Sequence, residues 1–252
     1  MKQFINTYWK TLLFFGIVGL IGGFFTGYFL LETYPAEIQR QLLDQGITES
    51  ILALITAVQS AGYGVVLGAG GIFLGKKTGL WKDETTLAKK PLLRSAAVAA
   101  AGGVAMILLD ILVFGQYSDV LMDSYAKKPS IPYLLASVTY GAVIEEVMLR
   151  LFMMSLIVFL LHKVFGKREE KPATAVLVAA NIMAALLFAA GHLPATAAIL
   201  GTSPVIIFRC FLMNGGLGLL FGALYRRYGL RYAMISHGGC HMISKLLWIL
   251  FL

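Results

Sequence analysis

Apolar residues run along this chain in long unbroken blocks, and the charged residues gather in short stretches between them. About 20 consecutive apolar residues are what a helix needs to cross the hydrocarbon of a bilayer. On that rule the blocks near 11–31, 51–75, 95–115, 132–162, 173–192, 203–225 and 231–252 predict seven membrane-spanning helices. An eighth is added if 193–202 dips into the membrane or 117–130 forms a short helix. Outer-membrane barrels are built from short alternating strands. Continuous blocks of this length instead predict an all-α fold, a polytopic transmembrane helical bundle. The ladder Gly19-x-x-x-Gly23-x-x-x-Gly27, with Gly64-x-x-x-Gly68 and Gly218-x-x-x-Gly222, lets helix backbones approach closely, and packing within the chain is its expected use.

Composition narrows the class. Apolar residues make up 58% of the 252 residues and charged residues 13%, which leaves no room for a sizeable soluble domain. Residues 1–252 therefore read as a single membrane domain. The charges also set its orientation. Lys2 and Lys10 precede the first span, and Lys76, Lys77, Lys82, Lys89, Lys90 and Arg94 fill the second connection. Lys163, Lys167, Arg168 and Lys171 fill the fourth, and Arg226, Arg227 and Arg231 the sixth. Together these are 15 of the 21 basic residues. The alternate connections hold only Arg40, Lys127 and Lys128 beside six acids. Basic loops stay in the cytoplasm, so the N-terminus is expected inside and the C-terminus outside. The net charge of +8 is then a topology signal. A nucleic-acid partner is not expected, because no folded domain presents a basic face. The first apolar run lacks a small-x-small cleavage site and reads as a retained span. Cys210 and Cys240 both fall in predicted spans, with spacing for neither a disulfide frame nor a zinc thiolate site.

The ionisable residues left inside spans are Asp110, Glu145, Glu146, Arg150, His192, Arg209, His237, His241 and Lys245. Such groups are expensive in the hydrocarbon and mark function or pairing. Glu146 and Arg150 are four apart, so they can pair along one helix face. Glu145 points about 100° away on a helix of 3.6 residues per turn and stays free for chemistry. A purely structural Glu–Arg clasp accounts for Glu146 and leaves Glu145 unexplained. His192 ends an apolar run beside Gly191, and Pro194 breaks or kinks the helix just after it. His237 and His241 share a face at i, i+4, as metal ligands or paired catalytic groups would. Gly238 and Gly239 on those turns are expected to leave room for a substrate backbone. Asp110 is expected to pair with Arg209 or Lys245 as structure.

Glu145-Glu146-x-x-x-Arg150, then Phe188-x-x-x-His192, then His237-x-x-x-His241, in that order, resembles the CPBP (Abi, type II CAAX prenyl endopeptidase-like) family of intramembrane proteases. The resemblance covers roughly 130–250, and residues 1–115 supply accessory spans. It implies a helical membrane enzyme that hydrolyses a peptide bond in a membrane-associated peptide or protein. Carried onto this chain, it makes Glu145 and His192 the base and water partner and His237 the oxyanion donor. Glu146 and Arg150 become supporting groups. The family's third motif ends in Asn where this chain has His241. A neutral imidazole still donates one hydrogen bond, so His241 can share oxyanion stabilisation. Three His and two Glu also leave open zinc or a similar divalent metal held by Glu145, His192, His237 and His241. The metal-free route is the preferred expectation, because Glu145 and His192 alone can activate water.

For that chemistry Glu145, His192 and His237 must converge. Convergence is met most simply if the fourth and fifth helices project into the cytoplasm by two or three turns, with 193–202 buried in protein and the site toward the cytoplasmic half. The alternative reading is a non-proteolytic membrane partner, a bacteriocin self-immunity factor or a sensor-kinase regulator. A transporter or haem role has less behind it: no inverted repeat is visible, and bis-His haem ligation has no use for the acid pair. The compact chain points to a prokaryotic cytoplasmic membrane. Substrate identity and oligomeric state are not encoded in these patterns.

Overall fold

Helices make up nearly all of the computed structural model, and no strand occurs among the described residues, which are 2–83, 86–166 and 169–252. Lys167 and Arg168 of the fourth basic connection lie outside them.

The helices begin and end where local chemistry dictates. Helix α1 (Lys2–Thr33) is followed by the short α2 (Ala36–Asp44). Helix α3 (Glu49–Thr78) starts where the Thr48 hydroxyl accepts from the Ile51 amide, and it stops at Gly79, whose φ of 73° is left-handed. That conformation costs glycine nothing. Helix α4 (Lys89–Leu112) leads to α5 (Asp119–Tyr125), capped by the Ser118 hydroxyl. The short helix entertained for 117–130 therefore exists. Helix α6 runs from 131 to 165, with the Ser130 hydroxyl as its cap. Helix α7 (Thr174–Gly191) gives way to α8 (Leu193–Leu200) because Pro194 has no N–H to continue α7. Helix α9 (Pro204–Tyr228) is capped by the Ser203 hydroxyl, and α10 (Leu230–Phe251) follows the left-handed Gly229.

Five of these stretches are long and apolar enough to cross a membrane: α1, α3, α4 with its continuation to Tyr117, α7 with α8, and α9. The predicted fourth and seventh spans are present as the helices α6 and α10, which are not among these five. Glu145, Glu146 and Arg150 lie in α6, and His237, His241 and Lys245 lie in α10. Large apolar side chains face outward, among them Val58, Val66, Leu108, Leu112 and Leu186. Apolar helices and an apolar outer surface are those of an integral membrane protein.

The expectation that 193–202 is buried in protein is overturned. No residue of α8 is buried, and 201–203 are exposed. Its backbone hydrogen bonds are satisfied within the helix and its side chains are almost all apolar, so it can face lipid without protein cover.

Small residues bring the helices together. Gly19, Gly23 and Gly27 of α1 lie against the backbone of α3 at Ser60, Thr56 and Ala53. The glycine ladder is thus spent inside the chain, as expected. Gly238 and Gly239 are spent the same way, which corrects the expectation of room for a substrate. A Cβ on Gly239 would lie 2.6 Å from the Ala99 Cβ of α4, and one on Gly238 would lie 3.0 Å from the Ala142 Cβ of α6. Gly239→Val should therefore wedge α10 off α4 and cost about 1–3 kcal/mol, read as a lower unfolding temperature in detergent micelles.

Asp110, 2% exposed, accepts from Arg209 Nε and Nη2 at 2.6 Å each and from the Tyr125 hydroxyl at 2.7 Å. This is the structural pairing expected for Asp110. Lys245 is not part of it. Cys210 and Cys240 are buried free thiols.

Candidate active site

The centre of α6 departs from α-helical winding. Residues Ser137–Glu145 and Val147–Met154 turn with i→i+5 hydrogen bonds. Such turns widen a helix, re-aim its side chains, and recur at functional sites. Apolar periodicity does not disclose them.

Glu146 and Arg150 sit at the bottom of the site. Their side chains are 0% and 1% exposed, and Arg150 Nη1 lies 3.3 Å from Glu146 Oε1. The guanidinium lies 4.5 Å from the centre of the Phe188 ring and 5.6 Å from that of Phe221. Aromatic faces attract a desolvated cation. Glu146 Oε1 has a second partner that spacing along one helix cannot show, His237 Nδ1 at 2.9 Å. A carboxylate facing an arginine only accepts, so His237 carries its proton on Nδ1. The Phe221 ring stacks on the His237 ring at 4.6 Å and 19°. Phe221 was not anticipated. Its only signal in the sequence is its place in the Gly218-x-x-x-Gly222 ladder, which marks packing alone.

Glu145 turns the other way, into a cavity of about 300 Å³ lined by Glu145, His192, His237 and His241 together with Tyr140 and Asn214. A larger cavity of about 500 Å³, beside Tyr8, Trp81 and Tyr232, contains none of the four. Glu145 Oε1 lies 3.8 Å from His192 Nε2, and Glu145 Oε2 lies 3.8 Å from His237 Nε2. The structure therefore brings the three predicted groups together, with His241 beside them.

The proton on His192 is fixed by the end of α7. Its Nδ1 lies 2.9 Å from the Phe188 carbonyl oxygen, which can only accept. Nε2 is left with a lone pair toward Glu145. Two acceptors 3.8 Å apart are beyond hydrogen-bond reach of each other. One water between them can donate to both. Gly141, one turn before Glu145, keeps this space open: a Cβ there would lie 3.2 Å from His241 Nε2.

Among the described residues no group of three or more His, Cys, Asp or Glu side chains could hold a metal ion. His237 Nε2 and His241 Nε2 face each other at 3.1 Å.

No curated protein and no solved structure matches the chain. A family model does: residues 127–243, which contain Glu145, Glu146, Arg150, His192, His237 and His241, match the family described as type II CAAX prenyl endopeptidase Rce1-like, a family of proteases, consistent with the CPBP family.

Proposed function

We propose that the protein is an intramembrane endopeptidase that hydrolyses a peptide bond in a membrane-associated peptide or protein. The observation that carries this reading is the Glu145 carboxylate, held 3.8 Å from His192 Nε2 and 3.8 Å from His237 Nε2 in one cavity. A water placed between Glu145 and His192 gives up a proton to Glu145 as its oxygen attacks the scissile carbonyl carbon. The carbonyl oxygen becomes an oxyanion, stabilised by imidazole N–H from the His237/His241 pair. The tetrahedral intermediate collapses, the carbon–nitrogen bond breaks, and the proton on Glu145 passes to the departing amine. The products are a carboxylic acid and an amine. Glu146 and Arg150 touch no reacting atom. They hold His237 in place through its Nδ1–H.

The same reading puts the N-terminus in the cytoplasm, on the side of the basic connections; on that orientation Thr26, Phe29, Tyr133 and Arg209 place the cavity toward the half of the bilayer away from the cytoplasm, and not toward the cytoplasmic half as expected. A peptide entering from the membrane would reach the cavity past Thr26, Phe29 and Tyr133, which line it.

Variants at His241 test the oxyanion role. His241→Ala removes an N–H donor and should slow cleavage of a membrane-associated precursor by about 10²–10³-fold. His241→Asn keeps an N–H donor and should retain most of the rate. Equal loss in the two variants would contradict oxyanion donation.

A further inference from the structure

Lys245 is 4% exposed, and none of the ion pairs among the described residues includes it. Two contacts hold its ammonium group. Nζ lies 3.3 Å from His241 Nδ1, one helical turn back, and 4.2 Å from the centre of the Tyr133 ring. A lysine over a tyrosine face is held there as a cation. An ammonium has three donors and no acceptor.

These facts fix the hydrogen bonds of a whole row of groups. At one end Lys245 donates to His241 Nδ1, which must offer a lone pair. His241 then carries its single proton on Nε2. At the other end Glu146 accepts from His237 Nδ1, so His237 Nε2 carries no proton. The two rings meet with Nε2 3.1 Å from Nε2, and as a hydrogen bond that contact takes one proton and one lone pair. The assignments from the two ends supply one of each. The row therefore runs in one direction: Lys245 to His241, His241 to His237, His237 to Glu146.

We propose that Lys245 is a positioning residue that fixes His241 as the Nε2–H tautomer and so makes His241, not His237, the N–H donor for the oxyanion. This rests on the hydrolytic reading above and refines it. In the resting site His237 Nε2 is an acceptor with no proton to give. The His241 Nε2–H is engaged with that neutral acceptor. A developing oxyanion is a stronger acceptor and draws the same N–H away. His237 keeps its place as the group that holds this donor in readiness. The departure from Asn at position 241 thus comes with its own support one turn further along α10. Without that support an imidazole could turn the wrong nitrogen to the substrate.

The experiment is nitrogen-15 NMR of the full chain in detergent micelles with a chelator present and the histidines isotopically labelled. The chain has only four histidines, so single substitutions assign the ring signals. The expected wild-type result is His241 protonated at Nε2 and His237 protonated at Nδ1. In Lys245→Met, His241 should shift to a mixture with a substantial Nδ1–H population. Lys245→Arg, which still donates, should keep the wild-type form. A wild-type His241 protonated at Nδ1, or an unchanged tautomer in Lys245→Met, would overturn the proposal. If Lys245→Met does not fold, the wild-type and Lys245→Arg spectra decide it. The tautomer is read without any substrate, so failure to find cleavage bears on the hydrolytic reading and the spectra bear on Lys245.

Discussion

Glu145→Gln should leave a folded protein whose cleavage rate is lower by about 10²–10⁴-fold, the usual contribution of a positioned general base. The amide matches the carboxylate in shape and cannot take a proton from water. Stability should change little, because the closest polar contacts of Glu145 are the two at 3.8 Å, beyond direct hydrogen-bond length. The side chain is 17% exposed to the cavity, so no buried charge is left without its partner. Comparing wild-type and Glu145→Gln membranes for a precursor that persists only in the variant checks the rate. The unfolding temperatures of the two purified proteins check the fold. A precursor processed equally in both membranes would argue for the non-proteolytic partner role instead.

Arg150→Met should produce the opposite pattern, a large loss of stability. Removing the guanidinium leaves Glu146, 0% exposed, as a buried carboxylate with only His237 to face it. Breaking one half of a buried pair costs about 3–5 kcal/mol. The packing of Arg150 against Phe188 and Phe221 is lost as well. The double variant Glu146→Gln with Arg150→Met should recover part of this, because both charges are gone. Thermal unfolding of the three variants in one detergent checks the prediction, and an unchanged unfolding temperature for Arg150→Met would contradict it. The contrast separates the two glutamates: Glu145 is exposed to the cavity and dispensable for folding, while Glu146 is sealed and needs its cation.

The sequence discloses the helical class because hydrophobic burial in lipid leaves long apolar runs that can be read directly. It also discloses the site through cost. Glu145, Glu146 and His237 stand out because the surrounding runs are apolar, and the Glu146–Arg150 pair follows from spacing on one helix. Other features are hidden for physical reasons. The i→i+5 winding of α6 is a backbone state that leaves no apolar period of its own. The His237–Glu146 hydrogen bond joins residues 91 positions apart, so it depends on how α6 and α10 pack. Phe221 looks like an ordinary core residue until the arginine beside it is seen, and the Phe188-x-x-x-His192 motif does not disclose that Phe188 packs on the same guanidinium. The sequence leaves Arg209 and Lys245 as alternative partners for Asp110; Arg209 matches that carboxylate with two parallel donors and leaves Lys245 for His241. Gly238 and Gly239 show the converse: small residues mark a close approach without saying whether a substrate or a neighbouring helix fills it.

The central claim is that Glu145 activates a water that ends up in the new carboxyl group. The most direct measurement incubates wild-type and Glu145→Gln membranes in water enriched in oxygen-18 and reads the C-termini of released peptides by mass spectrometry. The account predicts a new C-terminus carrying one heavy oxygen in the wild type and none at that position in the variant. The same termini with the same label in both membranes would contradict it.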